Sequence, residues 1–162
     1  MDFGQQIQNM SRPSILVVED SETVRSLVCK VLSDEGCHVE GIETGHDVMK
    51  WLDVIEPSLI ILDYHLPDMN GKEVVQVMRA KGRNIPFIVI TGAGDEKIAV
   101  EMMKLGAADY LAKDDVFFDL LPSVVRQVLH ASHNEMLLKE SRKELVATEN
   151  RFVALFNHIH SG

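Results

Sequence analysis

A chain of 162 residues that is 46% apolar can bury one core of ordinary size and carry an appendage. Its net charge of −9, with no basic run longer than two residues, argues against nucleic acid or an anionic membrane surface as a partner. No stretch approaches about eighteen apolar residues, the leader lacks a basic region, and Cys29 and Cys37 have no metal-ligand spacing. Together these predict a cytoplasmic protein without a membrane span or signal peptide, holding two ordinary thiols.

In chain order, residues 1–13 read as a polar leader, and Ser14–Glu19 as a strand whose aliphatic run Ile15-Leu16-Val17-Val18 ends in Glu19-Asp20. Glu22–Glu35 has Val24, Leu27, Val28, Val31 and Leu32 at helical spacing, and Gly36 stops it. Cys37–Ile42 is a short strand. Thr44–Ile55 is a helix turning Val48, Trp51, Leu52 and Ile55 inward, and it ends before Pro57. Leu59-Ile60-Ile61-Leu62 has no polar alternation, as a strand buried on both faces requires, yet it ends in Asp63. Pro67, Asp68, Asn70 and Gly71 then mark a loop. Lys72–Lys81 is a helix carrying Val74, Val75, Val77 and Met78. Ile85–Thr91 is a strand, Asp95–Leu105 a helix, and Ala108–Ala112 a strand with Lys113 at its end. A long helix runs from near Val116 almost to the terminus, with Pro122 in its first turns. Five βα units predict right-handed crossovers and a doubly wound parallel α/β sheet.

Such sheets bind ligands beyond the carboxyl ends of their strands. Glu19, Asp20 and Asp63 would meet there. At about 5 Å and an effective dielectric near 20, each like-charge pair costs roughly 3 kcal/mol. A hard divalent cation such as Mg²⁺ relieves that repulsion. The plainer roles stay open at this stage. Asp63 can cap a turn, Glu19 and Asp20 can cap a helix, Thr91 can end a strand, and Lys113 can be a solvated amine.

Four strands ending in Glu19-Asp20, Asp63, Thr91 and Lys113, in that order, resemble the receiver domain of two-component response regulators over residues 14–130. The resemblance implies a flavodoxin-like (βα)5 fold and a signalling phosphoacceptor that catalyses only its own phosphorylation and dephosphorylation. Asp63 would take a phosphoryl group from a phosphohistidine on a histidine kinase or phosphotransfer protein. Asp20 and Asp63 would hold Mg²⁺ directly, Glu19 through water, and the backbone carbonyl of His65 would complete the protein ligands. Thr91 would hydrogen-bond one phosphoryl oxygen and Lys113 pair with another, while Tyr110 takes the switch-aromatic position. One position departs from the family pattern. Asp114 stands where Pro usually follows the lysine, so a trans peptide and a slightly re-aimed Lys113 are expected.

Beyond the receiver, Val124, Ala131, Leu138, Leu145, Phe152 and Ile159 repeat every seven residues. Val128 and Phe156 fit a second seam, but Glu135, Arg142 and Glu149 interrupt it. Residues 131–150 therefore read as a linker helix, a pattern that suits a marginal coiled coil and also a surface helix with a narrow stripe, and a parallel homodimer is expected. His130 and His133 share a helix face without an evident third metal ligand. Glu149-Asn150-Arg151-Phe152-Val153-Ala154-Leu155-Phe156 resembles the opening of a PAS sensor domain, so residues 151–162 are read as the start of one. The chain is then a fragment of a longer signalling protein whose effector, enzymatic or not, lies beyond it. Two other functions compete: a phosphate-independent interaction domain, and an aspartyl-nucleophile phosphatase. The haloacid dehalogenase pattern behind the second places an Asp two residues after the nucleophile, where this chain has His65.

Overall fold

The computed structural model describes residues 12–160, so most of the expected leader and residues 161 and 162 lie outside the described residues. The elements are β1 (Ser14–Val18), α1 (Glu22–Asp34), β2 (His38–Ile42), α2 (Gly45–Leu52), β3 (Leu59–Asp63), α3 (Gly71–Ala80), β4 (Phe87–Thr91), α4 (Glu96–Lys104), β5 (Asp109–Ala112) and α5 (Phe117–His160). Residues 12–128 make one compact unit, and Leu129 onward a second.

All strand pairs are parallel, in the order β2-β1-β3-β4-β5. This is the flavodoxin-like doubly wound arrangement, whose order reverses between β1 and β3. The three central strands are buried along both faces, which is why they read as unbroken aliphatic runs. Alternation divides their side chains between two layers. Leu16, Val18, Ile60, Leu62 and Val89 pack with Val48, Leu52, Val74, Met78 and Met102 of α2, α3 and α4. On the other layer, Val28 and Leu32 of α1 and Leu121 and Val125 of α5 are buried. An ion pair of 2.9 Å between Arg126 and Glu35 joins α5 to the end of α1.

Three expected core residues stand outside. Helix α2 ends at Leu52, because the Trp51 carbonyl accepts from both Val54 N–H and Ile55 N–H and folds the chain into a turn. Ile55 therefore leaves the inward face and is 48% exposed. Leu27 and Val77 are exposed because each sits about a third of a turn from the centre of its helix's buried stripe.

Helix α5 is continuous over 44 residues and includes Pro122. Within residues 129–160, Leu138, Leu145, Phe152 and Ile159 are all exposed. Among the described residues, no helix is long and apolar enough to cross a membrane.

Candidate functional site

Sheet register decides which strand-end residues meet. β1 and β3 pair with Val18 opposite Leu62, so Glu19 follows at the level of Asp63. Asp63 faces Ile90 on β4, and Thr91 faces Ala112 on β5, one residue before Lys113. Glu19, Asp63 and Lys113 thus reach one crevice at the switch point between β1 and β3.

Glu19, Asp20 and Asp63 each offer a carboxylate oxygen, and these oxygens lie within 4.8 Å of one another. Glu19 is 0% exposed and Asp63 3%, whereas Asp20 opens to solvent. Lys113 Nζ donates to Asp63 Oδ2 at 2.9 Å and stands 2.6 Å from Glu19 Oε2. The Lys113 ammonium is thus the partner of the buried Glu19 Oε2, which accepts no further hydrogen bond. Glu19 Oε1 accepts from Ser21 N–H at 3.0 Å.

Burial drives the Glu19 carboxyl up to about 7, and the charge of Asp63 adds to the rise, against Lys113 and the Ser21 amide. Burial alone would lower the Lys113 ammonium. Its contacts with Glu19 and Asp63 outweigh that and leave it raised. One ammonium against three carboxylates leaves the crevice negative. Three converging carboxylates, an all-oxygen donor set and an exposed side at Asp20 fit a hard divalent cation of the Mg²⁺ type.

Asp63 is held at both oxygens, since His65 N–H donates to Oδ1 at 3.1 Å while Lys113 takes Oδ2. Among the described residues every peptide bond is trans, including Lys113–Asp114, and from that geometry Lys113 reaches both acids. The loop after β3 is set by Asn70, which forms a capping box with Glu73 at the start of α3.

Thr91 is placed differently. It is 0% exposed, and its hydroxyl donates to Asp95 Oδ2 at 2.5 Å rather than toward Asp63. The exposed His65 ring approaches the same Asp95 oxygen at 3.3 Å. The Thr91 hydrogen bond, then that from His65, holds the Asp95 carboxyl below its usual range. Tyr110, half-buried, faces Val89 in the β4–β5 ladder and borders a shallow surface depression with Val100 and Met103. The structure therefore brings Glu19, Asp20, Asp63 and Lys113 together, and it engages Thr91 elsewhere.

Three residues of this region escape a reading of the sequence. Asp95 reads only as the start of a helix, although four residues across Gly92-Ala93-Gly94 is a short enough span to reach back to Thr91. Arg25 Nη1 donates to the carbonyls of Glu19 and Asp20 at 2.8 and 3.4 Å, and Nη2 donates to Glu43 at 3.0 Å. Gly41 makes room for it, since a Cβ there would lie 2.9 Å from Arg25 Cγ. Asp68 accepts from the amides of Gly45 and His46 at 2.9 and 2.8 Å and so ties the β3–α3 loop to the start of α2. Burial opposes ionisation of Asp68, but those amides prevail and hold its carboxyl low.

A family model described as the response regulator receiver domain matches residues 15–124. The Salmonella typhimurium protein named as the probable transcriptional regulatory protein SilR is 34% identical over 110 residues, covering 68% of this chain and 48% of that protein. NtrX from Brucella abortus superposes with a TM-score of 0.75 at 26% identity, over 80% of this chain and 29% of that one. The BeF3-activated DrrB receiver domain superposes with a TM-score of 0.65 at 25% identity, over 74% of this chain and 99% of that one. The chain thus spans about half the length of SilR and less than a third of NtrX.

Proposed function

The chain belongs to the response regulator receiver family, and from that premise we propose that Asp63 is its phosphoacceptor, loaded from a phosphohistidine on a histidine kinase or phosphotransfer protein. The observation that carries the reading is a nearly buried carboxylate, gripped at both oxygens, inside a cluster of three acids and one lysine. An Asp63 oxygen attacks phosphorus, the P–N bond breaks, and the histidine nitrogen keeps the electron pair and takes a proton. Phosphoryl transfer of this kind depends on positioning and charge neutralisation more than on covalent chemistry.

Asp20 and Asp63 would hold Mg²⁺ directly, Glu19 through water, with the His65 backbone carbonyl as a further ligand. Bound Mg²⁺ offsets negative charge on the transferring oxygens. Lys113 already lies on Asp63 Oδ2 and is placed to pair with an added phosphoryl oxygen. Thr91 supplies one hydroxyl donor once it turns from Asp95, and Tyr110 moves with it. The output passes through α5, whose exposed Leu138 and Leu145 favour a parallel homodimer leading into a PAS-like module from about residue 151. Regulation of transcription, named for SilR, is not carried over to this stretch of chain.

The test is incubation of the full chain with Mg²⁺ and acetyl phosphate, followed by intact-mass measurement. One phosphoryl group on the wild type and none on Asp63→Asn is expected. Equal labelling of Asp63→Asn removes Asp63 as the acceptor. No labelling of either protein favours the phosphate-independent interaction domain, and turnover of a phosphate monoester such as p-nitrophenyl phosphate favours the aspartyl phosphatase.

A further inference from the structure

A hydroxyl carries one proton and can donate to one strong acceptor at a time. In this structure the Thr91 proton is committed to Asp95 Oδ2 at 2.5 Å, within the range of a charge-assisted O–H···O⁻ bond. Thr91 is fully buried, so water does not compete for it. Asp95 in turn stands at the N-cap position of α4, where a carboxylate ordinarily accepts the amides of the first turn. Here it makes no side-chain cap hydrogen bond. The carboxylate is spent on Thr91 instead, with the His65 ring as its second neighbour. The preceding loop is suited to a change, since Gly94 sits at φ +96 with nothing within 4 Å of the place a Cβ would occupy.

We propose that Asp95 is a positioning residue that withholds the Thr91 hydroxyl from Asp63, and that a phosphoryl group on Asp63 wins the proton and releases Asp95 to cap α4. The inference rests on Asp63 being the acceptor. It adds a competition between two anions, the Asp95 carboxylate and the phosphoryl oxygen, for a single donor. It also gives α4 two states, with its first-turn amides uncapped by Asp95 or capped by it. Those amides belong to Lys97 and Ile98, the second and third residues of the helix. Negative charge added at Asp63 repels Asp95 as well, so both effects drive the same exchange.

The experiment is a double-mutant cycle on the full chain, read as the affinity for beryllofluoride in saturating Mg²⁺. Asp95→Ala removes the competing acceptor, and binding is expected to tighten about tenfold, the effect of one charge-assisted hydrogen bond no longer to be broken less that of the α4 cap the variant cannot gain. Asp95→Asn keeps a weaker acceptor and falls between. In a Thr91→Val background there is no proton to withhold, and Asp95→Ala is expected to tighten binding less than twofold. In parallel, amide exchange at Lys97 and Ile98 slows on beryllofluoride binding in the wild type and not in Asp95→Ala. Equal tightening with and without the Thr91 hydroxyl reduces Asp95 to a repelling charge and overturns the proposal. So does no tightening in a variant that binds normally, or unchanged amide exchange in the wild type. Failure of the wild type itself to bind beryllofluoride is a different result, which overturns Asp63 as acceptor.

Discussion

Residues 12–128 and residues 129–160 treat their side chains in opposite ways. In the first unit the three central strands hide every apolar side chain, and Glu19, Asp63 and Thr91 are the buried polar residues among those described. In the second unit Leu138, Leu145, Phe152 and Ile159 stand 59%, 60%, 70% and 73% exposed. Each is anomalous in its own setting. Burying a carboxylate costs free energy that the fold must recover elsewhere, so a buried acid points to a ligand or a reaction. An exposed apolar stripe on a helix points to a surface not yet covered. Placement against the local norm is therefore more informative than residue type in both units.

The comparison breaks most sharply at Lys113. Replacing it with Ala leaves Glu19 and Asp63 facing each other uncompensated. In Mg²⁺-free buffer this is expected to cost about 3 kcal/mol, the low end for a broken buried pair because the lysine side chain is 25% exposed. Chemical denaturation measures it, and addition of Mg²⁺ should recover part of the loss. A loss below about 0.5 kcal/mol would mean that the acids do not depend on the lysine.

Titration of Glu19 gives the next effect. Its folded value of about 7 lies above its ordinary 4.5, so between those values the folded state binds the extra proton. Stability in EDTA should therefore fall as pH rises through that window, by at most about 1.4 kcal/mol per pH unit. The quantity to follow is the wild type minus Glu19→Gln, which cancels other titrating groups. Saturating Mg²⁺ selects the ionised form and should flatten the slope. A difference that rises with pH contradicts the assignment.

Asp20→Asn sharpens the metal reading. It alters an exposed carboxylate without touching the core, so the fold should persist while Mg²⁺ affinity drops about tenfold, seen as a smaller rise of Tm with added Mg²⁺. Unchanged Mg²⁺ stabilisation would place the ion elsewhere. The smallest effect on stability belongs to the second unit. Leu138→Asp with Leu145→Asp should leave thermal unfolding of residues 12–128 within about 0.5 kcal/mol while abolishing the dimer in light scattering. Dimerisation as tight as the parent's would move any interface onto the first unit.

Much of this was legible in the chain because burial on both faces writes itself as uninterrupted aliphatic runs. Leu59-Ile60-Ile61-Leu62 before Asp63, and Ile15–Val18 before Glu19, give away both the strand and the acid at its carboxyl end. Parallel register then aligned those ends without further information. The limit of α2 was less readable, since it depends on the Trp51 carbonyl accepting two turn amides, which no periodicity encodes. Asp95 and Arg25 were missed for related reasons. The first acts through a loop conformation, and the second donates to main-chain carbonyls that every sequence possesses. The seven-residue apolar repeat was visible, but a repeat on one helix does not name what covers it.

The grip of Arg25 on the turn after β1 gives β2 a stake in a site to which it contributes no ligand. Arg25 binds the carbonyls of Glu19 and Asp20, and its own charge is met by Glu43. Its planar fork has no equivalent in lysine. The side chain keeps that path only because residue 41 carries no Cβ to displace it. A side chain at residue 41 would therefore push Arg25 off the carbonyls of Glu19 and Asp20 and loosen the turn that carries both acids.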